Sequence, residues 1–145
     1  MNDIITESLI ALEIELPDKA AVIDTIADLL LSNARLVDRE LYIKDVYERE
    51  GMVPTGIGDL IAIPHARSAS VSSSSLVYLR LSSPIQWSEE EEARFIFGIA
   101  VPEDNVDNLH LKILSTVAKK LLDDKIKEII TESTSKQQIL ESLLD

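Results

Sequence analysis

The side chains best suited to chemistry in this sequence are two histidines, His65 and His110, in a chain that contains no cysteine. The lack of cysteine excludes disulfides, thiol catalysis and thiolate metal ligands. Zinc sites use three or four protein ligands, and neither histidine belongs to an HExxH motif or has carboxylates at an informative spacing. We therefore expect no metal site and no cofactor.

His65 follows an apolar run, Leu60 to Ile63, and then Pro64, a pattern that predicts a short buried strand with the histidine at its end. Pro64 restricts Ile63 to extended geometry and so fixes where the imidazole points. Strand ends of α/β sheets hold ligands, and a largely neutral histidine can attack phosphorus through a ring nitrogen. A histidine that only caps backbone groups explains the position alone equally well.

His110 lies on a helix predicted from about Asn108 to Leu122, where it shares an apolar stripe with Leu114 and Val117. A histidine on such a stripe is more often a hydrogen-bonded core residue than part of a site. It gains a functional role only if His65 lies opposite, where one imidazole could orient the other or hold phosphate.

Two features upstream of His65 could contact a phosphate. The loop Thr55-Gly56-Ile57-Gly58 has glycines that let backbone N–H groups approach an anion, although a tight turn between helix and strand is the simpler explanation. It lacks the Gly-Lys-Ser/Thr ending of a nucleotide-binding loop. Arg49 ends a predicted helix, where its guanidinium could hold two phosphoryl oxygens or simply interact with the helix dipole.

The elements that must position these residues follow from hydrophobic periodicity, which predicts the order β-α-α-β-β-β-α-α and one further short helix over Asp123 to Thr131. The predicted strands are Leu9 to Leu16, Leu60 to Ile63, Leu76 to Leu81 and Phe95 to Val101. The other predicted helices are Asp18 to Asn33 capped by Asp18, Asp38 to Glu50 ended by a left-handed Gly51, Asp123 to Thr131, and Ser135 to Leu144 opened by a Ser135–Gln138 capping box. We expect one α/β domain over residues 1–145, a mixed β-sheet flanked by α-helices.

The serine-rich segment Ser68 to Ser75 is not expected to be a domain boundary, and the acidic run Glu89 to Glu92 is expected to be a solvated turn.

Composition limits the classes of partner. The formal net charge is −12 and the pI about 4.5, so anionic nucleic acids and lipid surfaces are disfavoured as ligands. The N-terminus lacks the pattern of a secretory signal, and no apolar run approaches the ~20 residues that cross a bilayer. We expect a soluble cytoplasmic protein. Its acidity would suit contact with a basic patch on another protein, although a role in solubility alone explains the charge at least as well.

Taken together, Arg49-Glu50, Thr55-Gly56-Ile57-Gly58 and Ala62-Ile63-Pro64-His65 resemble the signature of enzyme IIA domains of the phosphoenolpyruvate:sugar phosphotransferase system, fructose–mannitol class. Similarity continues through Pro84 to Trp87, Phe95 to Pro102 and His110 to Ser115, and so covers essentially the whole chain in order. The resemblance implies that His65 accepts phosphate from the carrier HPr and passes it to a cysteine of an enzyme IIB domain. That domain in turn serves a membrane IIC permease. The resemblance also implies that His110 and Arg49 belong to the same site.

Two alternatives to a transport role remain open. In the nitrogen-related branch of the family, the phosphorylation state of the histidine controls binding to other proteins. The second alternative rests on Leu60, where the family usually has glycine. If this position needs a positive φ, leucine is strained there, which would fit an inactive paralogue kept as a binding domain.

Overall fold

Six strands form one mixed sheet, and the long sixth strand pairs with three of the others. The computed structural model describes residues 4–104 and 109–144, without the side chains of Leu109 and His110. The strands are β1 (Ile10–Ile14), β2 (Gly56–Gly58), β3 (Ile61–Ala62), β4 (His65–Ser68), β5 (Ser75–Gln86) and β6 (Glu92–Pro102). Their order is β1-β5-β6-β3-β2, with β4 also beside β6. β5 and β6 form an antiparallel pair, whereas β3 and β4 run parallel to β6.

Helices cover both faces of this sheet. They are α1 (Lys19–Ser32), α2 (Arg39–Glu50), α3 (Leu109–Leu122), α4 (Asp124–Glu132) and α5 (Lys136–Leu144). Successive side chains of a strand face opposite sides. On β6, Gly98 lies against Ile26 of α1, while the ring of Phe97 stacks on Tyr78 at 4.9 Å. The Tyr78 hydroxyl donates to the Ile130 carbonyl of α4 at 2.7 Å. The predicted mixed sheet flanked by helices is confirmed. No helix in the described ranges is long and apolar enough to cross a membrane.

The predicted starts of α1 and α5 are confirmed by their caps, whereas the helix start predicted at Asn108 lies outside the described residues. The Asp18 carboxylate accepts from the Ala21 N–H at 2.9 Å, which satisfies one of the free donors at the start of α1. At α5 the Ser135 hydroxyl accepts from the Gln138 N–H at 3.1 Å. The second hydrogen bond of a capping box, from the Ser135 N–H to the Gln138 side chain, is replaced. The Ser135 N–H donates to the Ser133 hydroxyl instead, and that hydroxyl donates to the Gln138 side-chain oxygen.

The end of α2 differs from the prediction in its handedness. The helix stops at Glu50 as expected, but Gly51 has a φ of −67°, in the right-handed region, so the left-handed prediction is wrong. The chain instead continues into a turn, in which the Met52 N–H donates to the Arg49 carbonyl at 3.2 Å. The Arg49 guanidinium closes the same turn by donating to the Val53 carbonyl at 2.8 Å.

His65 begins a strand, and the prediction that it ends one is wrong. The preceding strand, β3, contains only Ile61 and Ala62, and the chain leaves the ladder at Ile63 and Pro64. Pairing then resumes with His65 opposite Ile99. The break falls at Pro64 because proline has no N–H for the ladder. β3 and β4 therefore lie one after the other along the same edge of β6.

A left-handed segment leads into β3. Gly58, Asp59 and Leu60 have φ values of +89°, +55° and +65°. A non-glycine residue in this region costs roughly 1–2 kcal/mol. The Leu60 carbonyl accepts from the N–H groups of Arg94 and Phe95 at 2.8 and 2.9 Å, and the Leu60 side chain packs against the core. These contacts hold Leu60 in a positive-φ conformation, the case in which strain was expected for a leucine at this position.

The serine-rich segment is part of the same domain. The Ser70 carbonyl accepts from the Val37 N–H at 2.8 Å, and the Ser72 N–H donates to the Arg35 carbonyl at 2.9 Å. These bonds attach the segment to the connection between α1 and α2, so the prediction that it is no domain boundary is consistent with the fold.

The contact between α1 and β6 predicts the effect of Gly98→Ala. A Cβ at this position would lie 2.9 Å from two side-chain carbons of Ile26, so we expect the free energy of unfolding to fall by about 1–3 kcal/mol. Urea unfolding measures this. In an Ile26→Ala background the same change should cost far less. Gly51→Ala is the matched control, because φ is −67° there and alanine should not destabilise. A Gly98→Ala protein as stable as its parent would contradict this packing.

Candidate phosphoryl-transfer site

His65 is half-buried at the start of β4, and its ring is held by one backbone bond. Nδ1 lies 2.8 Å from the carbonyl oxygen of Ile63. A carbonyl can only accept, so in the neutral ring Nδ1 carries the hydrogen and Nε2 carries the free lone pair. The break between β3 and β4 thus leaves Nε2 as the available nucleophile.

The surroundings favour the neutral form of this histidine. Burial lowers the pKa of His65 below its usual value, and the positive charge of Arg49 lowers it further. The hydrogen bond to the Ile63 carbonyl and the negative charge of Glu50 act in the opposite direction on this pKa without reversing the change. Near pH 7 the neutral ring, with its lone pair on Nε2, is therefore the predominant form.

A cavity of about 410 Å³ opens beside His65. The last turns of α2 contribute charged side chains, the turn after α2 contributes a methionine, β4 contributes a small residue and a cation, and α3 contributes two leucines. These lining residues are Asp45, Glu48, Arg49, Met52, Ala66, Arg67, Leu111 and Leu114. Met52 and Leu111 are 77% and 54% exposed, so apolar surface surrounds the opening. The cavity is accessible to a group carried by another protein.

Two guanidinium groups line this cavity together with His65. Arg49, predicted from the sequence, already donates one N–H to the Val53 carbonyl at 2.8 Å. Arg67 was missed, because the strand was expected to end at His65. Residues i and i+2 of a strand share a face, so the continuation of β4 places Arg67 beside His65. Arg67 donates to the Glu103 carbonyl at 3.1 Å and has further donors, since a guanidinium has five N–H groups.

The glycine loop is not among the described residues that line the His65 cavity. The Gly58 N–H donates to the Glu91 carboxylate at 3.2 Å, and a Cβ on Gly56 would lie 2.5 Å from the same carboxylate. Thr55 is buried against Glu50. Phosphate binding by Thr55, Gly56 and Gly58 stays a prediction, whereas their contacts with two carboxylates are observed. The acidic run is accordingly more than a solvated turn, since Glu91 holds the loop.

His110 lies in the first turn of α3, but its side chain is outside the described part of the structure. Its neighbour Leu111 and the following Leu114 reach the His65 cavity, so this end of α3 borders the site. A direct role for the His110 imidazole stays a prediction. Within residues 4–104 and 109–144, no cluster of three or more histidine or carboxylate side chains could hold a metal ion.

Similarity to known proteins identifies the family of this chain. The family model described as phosphoenolpyruvate-dependent sugar phosphotransferase system, EIIA 2, matches residues 3–145. The chain belongs to this family. As an EIIA chain it is similar to the fructose-specific EIIA component of Haloferax volcanii, with 32% identity over 139 residues that cover 94% of this chain and 90% of the relative.

Other relatives of this EIIA chain are longer proteins. The fructose-specific EIIABC component of Bacillus subtilis is 32% identical over 143 residues, which cover 97% of this chain and 22% of that protein. The chain spans about a fifth of the length of this relative and of an Escherichia coli EIIABC component.

Solved structures share the fold of this EIIA chain. The nitrogen regulatory protein IIA-Ntr of Neisseria meningitidis superposes with a TM-score of 0.86 at 26% identity over 97% of both chains. The mannitol IIA of Escherichia coli, solved with phosphorylated mannitol IIB, has a TM-score of 0.82 at 24% identity, covering 97% and 96% of the two chains, and supports the fold alone.

The lowered pKa of His65 predicts its titration. Nitrogen-15 NMR of the imidazoles should give a midpoint for His65 below the ordinary value of about 6.5, with the Nδ1–H tautomer above it. A His110→Gln variant assigns the signals, since the chain has two histidines. A midpoint at or above 6.5 would contradict the dominant effect of burial.

The same shift predicts a pH dependence of stability. Because the folded protein resists protonation of His65, the unfolded chain binds more protons at mildly acidic pH. The contribution is present above the unfolded pKa of about 6.5 and is lost as the pH falls through the lower folded pKa. Between pH 7.5 and 5.5 the parent protein should therefore lose more unfolding free energy than His65→Gln, as urea unfolding would measure.

Proposed function

We propose that this EIIA chain is a phosphoryl carrier in which Nε2 of His65 accepts phosphate from phospho-HPr and passes it to a cysteine of an enzyme IIB domain. The transfer serves uptake of a sugar or sugar alcohol through a membrane IIC permease, and we propose that it takes place in the cytoplasm. The observation that carries the proposal is the Nδ1–Ile63 hydrogen bond, which leaves Nε2 as a nucleophile beside a cavity lined by two guanidiniums.

The chemistry of this step is a displacement at phosphorus. The Nε2 lone pair forms the new N–P bond while the P–N bond of the donor phosphohistidine breaks and returns its electron pair to the donor ring. The transition state is loose and spreads negative charge over the phosphoryl oxygens, so alignment and charge stabilisation supply most of the catalysis. Arg49 and Arg67 are the cations available for that charge, and Ile63 keeps the Nδ1 proton in place.

The proposed partners fit the opening of the cavity. Exposed Met52 and Leu111 offer apolar contact, while Asp45 and Glu48 offer negative charge to a basic partner surface. The name EIIABC of the Bacillus relative combines A, B and C components, which supports IIB as the acceptor and IIC as the permease for this chain.

A regulatory role is the second candidate, and one observation favours it. The Neisseria nitrogen regulatory protein is 26% identical and superposes over 97% of both chains. The two candidates share the chemistry of His65 and differ in the acceptor. Transfer from phosphorylated protein to a IIB cysteine supports the carrier role, and phosphorylation-dependent binding without onward transfer supports the regulatory one.

We expect the protein to gain one phosphate on His65 when mixed with HPr, enzyme I and phosphoenolpyruvate. The adduct should be labile in acid, stable in alkali and removed by hydroxylamine, as a phosphoramidate is. Intact-mass spectrometry and peptide mapping measure it. His65→Ala should abolish labelling and His110→Ala should retain it, while ATP alone should give none, since the sequence has no nucleotide-binding loop. One acid-stable phosphate, or labelling that survives His65→Ala, would overturn the proposal.

Arg49→Ala should slow phosphoryl transfer by about 10²–10³-fold, because one preformed positive group is lost from the transition state. Affinity for HPr should change much less. Rapid-quench kinetics and calorimetry separate the two effects. Arg67→Ala tests the second guanidinium in the same way. Arg39→Ala is the matched control, since Arg39 starts the same helix and pairs with Asp28 at 2.6 Å. Equal rates of phosphoryl transfer in Arg49→Ala and Arg39→Ala would show that Arg49 serves only as a cation at the end of the helix.

A further inference from the structure

Glu50 is a buried carboxylate that the proposed phosphoryl transfer does not use directly. Its residue is 6% exposed, and it ends α2, where the helix dipole disfavours negative charge. A buried charge in such a position needs compensation. Lys19 supplies it, with Nζ at 2.8 Å from the carboxylate, and Lys19 in turn lies 4.7 Å from the centre of the Trp87 ring.

The rest of the Glu50 carboxylate is occupied by Thr55. The Thr55 N–H donates to one oxygen at 3.2 Å, and the Thr55 hydroxyl donates to the other. Both donors belong to one residue, so the carboxylate fixes the position and the orientation of the Thr55 peptide. Thr55 is itself buried, which keeps water from competing for these bonds.

Two further hydrogen bonds connect Thr55 to the imidazole. The Thr55 carbonyl accepts from the Ile63 N–H at 3.0 Å. The Ile63 carbonyl then accepts from Nδ1 of His65 at 2.8 Å. A continuous series of bonds therefore runs from the Glu50 carboxylate through Thr55 and Ile63 to His65.

We propose that Glu50 is a positioning residue for His65, which acts through Thr55 and Ile63 to hold the imidazole as the Nδ1–H tautomer with Nε2 toward the cavity. The inference rests on the proposed function for its kinetic consequence, although the ring orientation exists without phosphate. A displaced Thr55 peptide moves the Ile63 peptide, and the ring then loses the acceptor that selects its tautomer. Misplacement of a reacting atom by about 1 Å can cost on the order of 10² in rate.

Glu50→Gln removes the charge and keeps the shape of the side chain. We expect nitrogen-15 NMR to show a larger share of the Nε2–H tautomer of His65 than in the parent protein. We also expect kcat for phosphoryl acceptance to fall by about 10–100-fold, as for other supporting residues, with the KM for phospho-HPr changed by less than about twofold. Glu40→Gln is the matched control, because Glu40 lies on the same helix and its side chain is 80% exposed.

Substitutions at Thr55 separate positioning from packing and serve if Glu50→Gln does not fold. Thr55→Val keeps the volume and loses the hydroxyl donor, whereas Thr55→Ser keeps the donor and loses a methyl group. Positioning predicts that valine shifts the His65 tautomer and slows transfer while serine stays near the parent. A role in packing alone predicts the reverse order.

The proposal is overturned if folded Glu50→Gln, or Thr55→Val, keeps the parent tautomer and the parent rate. Failure of the proposed function is a separate result, because it would be seen as a parent protein that gains no phosphate on His65. In that case the tautomer measurement on the unphosphorylated proteins still decides whether Glu50 positions the ring.

Discussion

Pro64 cannot donate a backbone hydrogen bond, and the strand that follows the edge of β6 is broken at this residue. The break is bounded by pairing on both sides, since β3 pairs with β6 before it and His65 pairs with Ile99 after it. The Pro64 carbonyl still accepts from the Ile99 N–H at 3.0 Å, so the two strands stay in line. The Ile63 carbonyl is thereby free to accept from the imidazole. The nucleophile, its tautomer and its access to the cavity all depend on this one interruption.

Patterns in the sequence were sufficient to predict those elements whose stabilising contacts join residues close together in the chain. The apolar stripe of α1, its Asp18 cap and the strand character of β5 and β6 follow from residues close in sequence, and all are present. The left-handed conformation predicted for Gly51 was wrong, because the Arg49 side chain closes a right-handed turn there. No residue preference reveals that contact. Arg67 was missed for a related reason, since the sequence did not indicate that pairing resumes after Pro64.

Long-range contacts explain the remaining difference. Glycines before a strand suggested a loop open to phosphate, yet Gly58 donates to a carboxylate that lies 33 residues further along the chain. Glu50 received no role of its own from the sequence, because its partners Lys19 and Thr55 come from two different segments. Local patterns identified His65 and Arg49 as candidates and the family resemblance placed them in one site, whereas the contacts that orient His65 became visible only in the tertiary structure.

Leucine at position 60 has a consequence for how this loop tolerates change over evolution. Its left-handed backbone costs roughly 1–2 kcal/mol relative to glycine. Glycine would add freedom to the unfolded chain, worth about 0.4–1 kcal/mol, and would also lose the contact of the Leu60 side chain with the core. The two residues are therefore close to equivalent in free energy at this position. A leucine is tolerated here because the packing of its side chain offsets the strain of its own backbone.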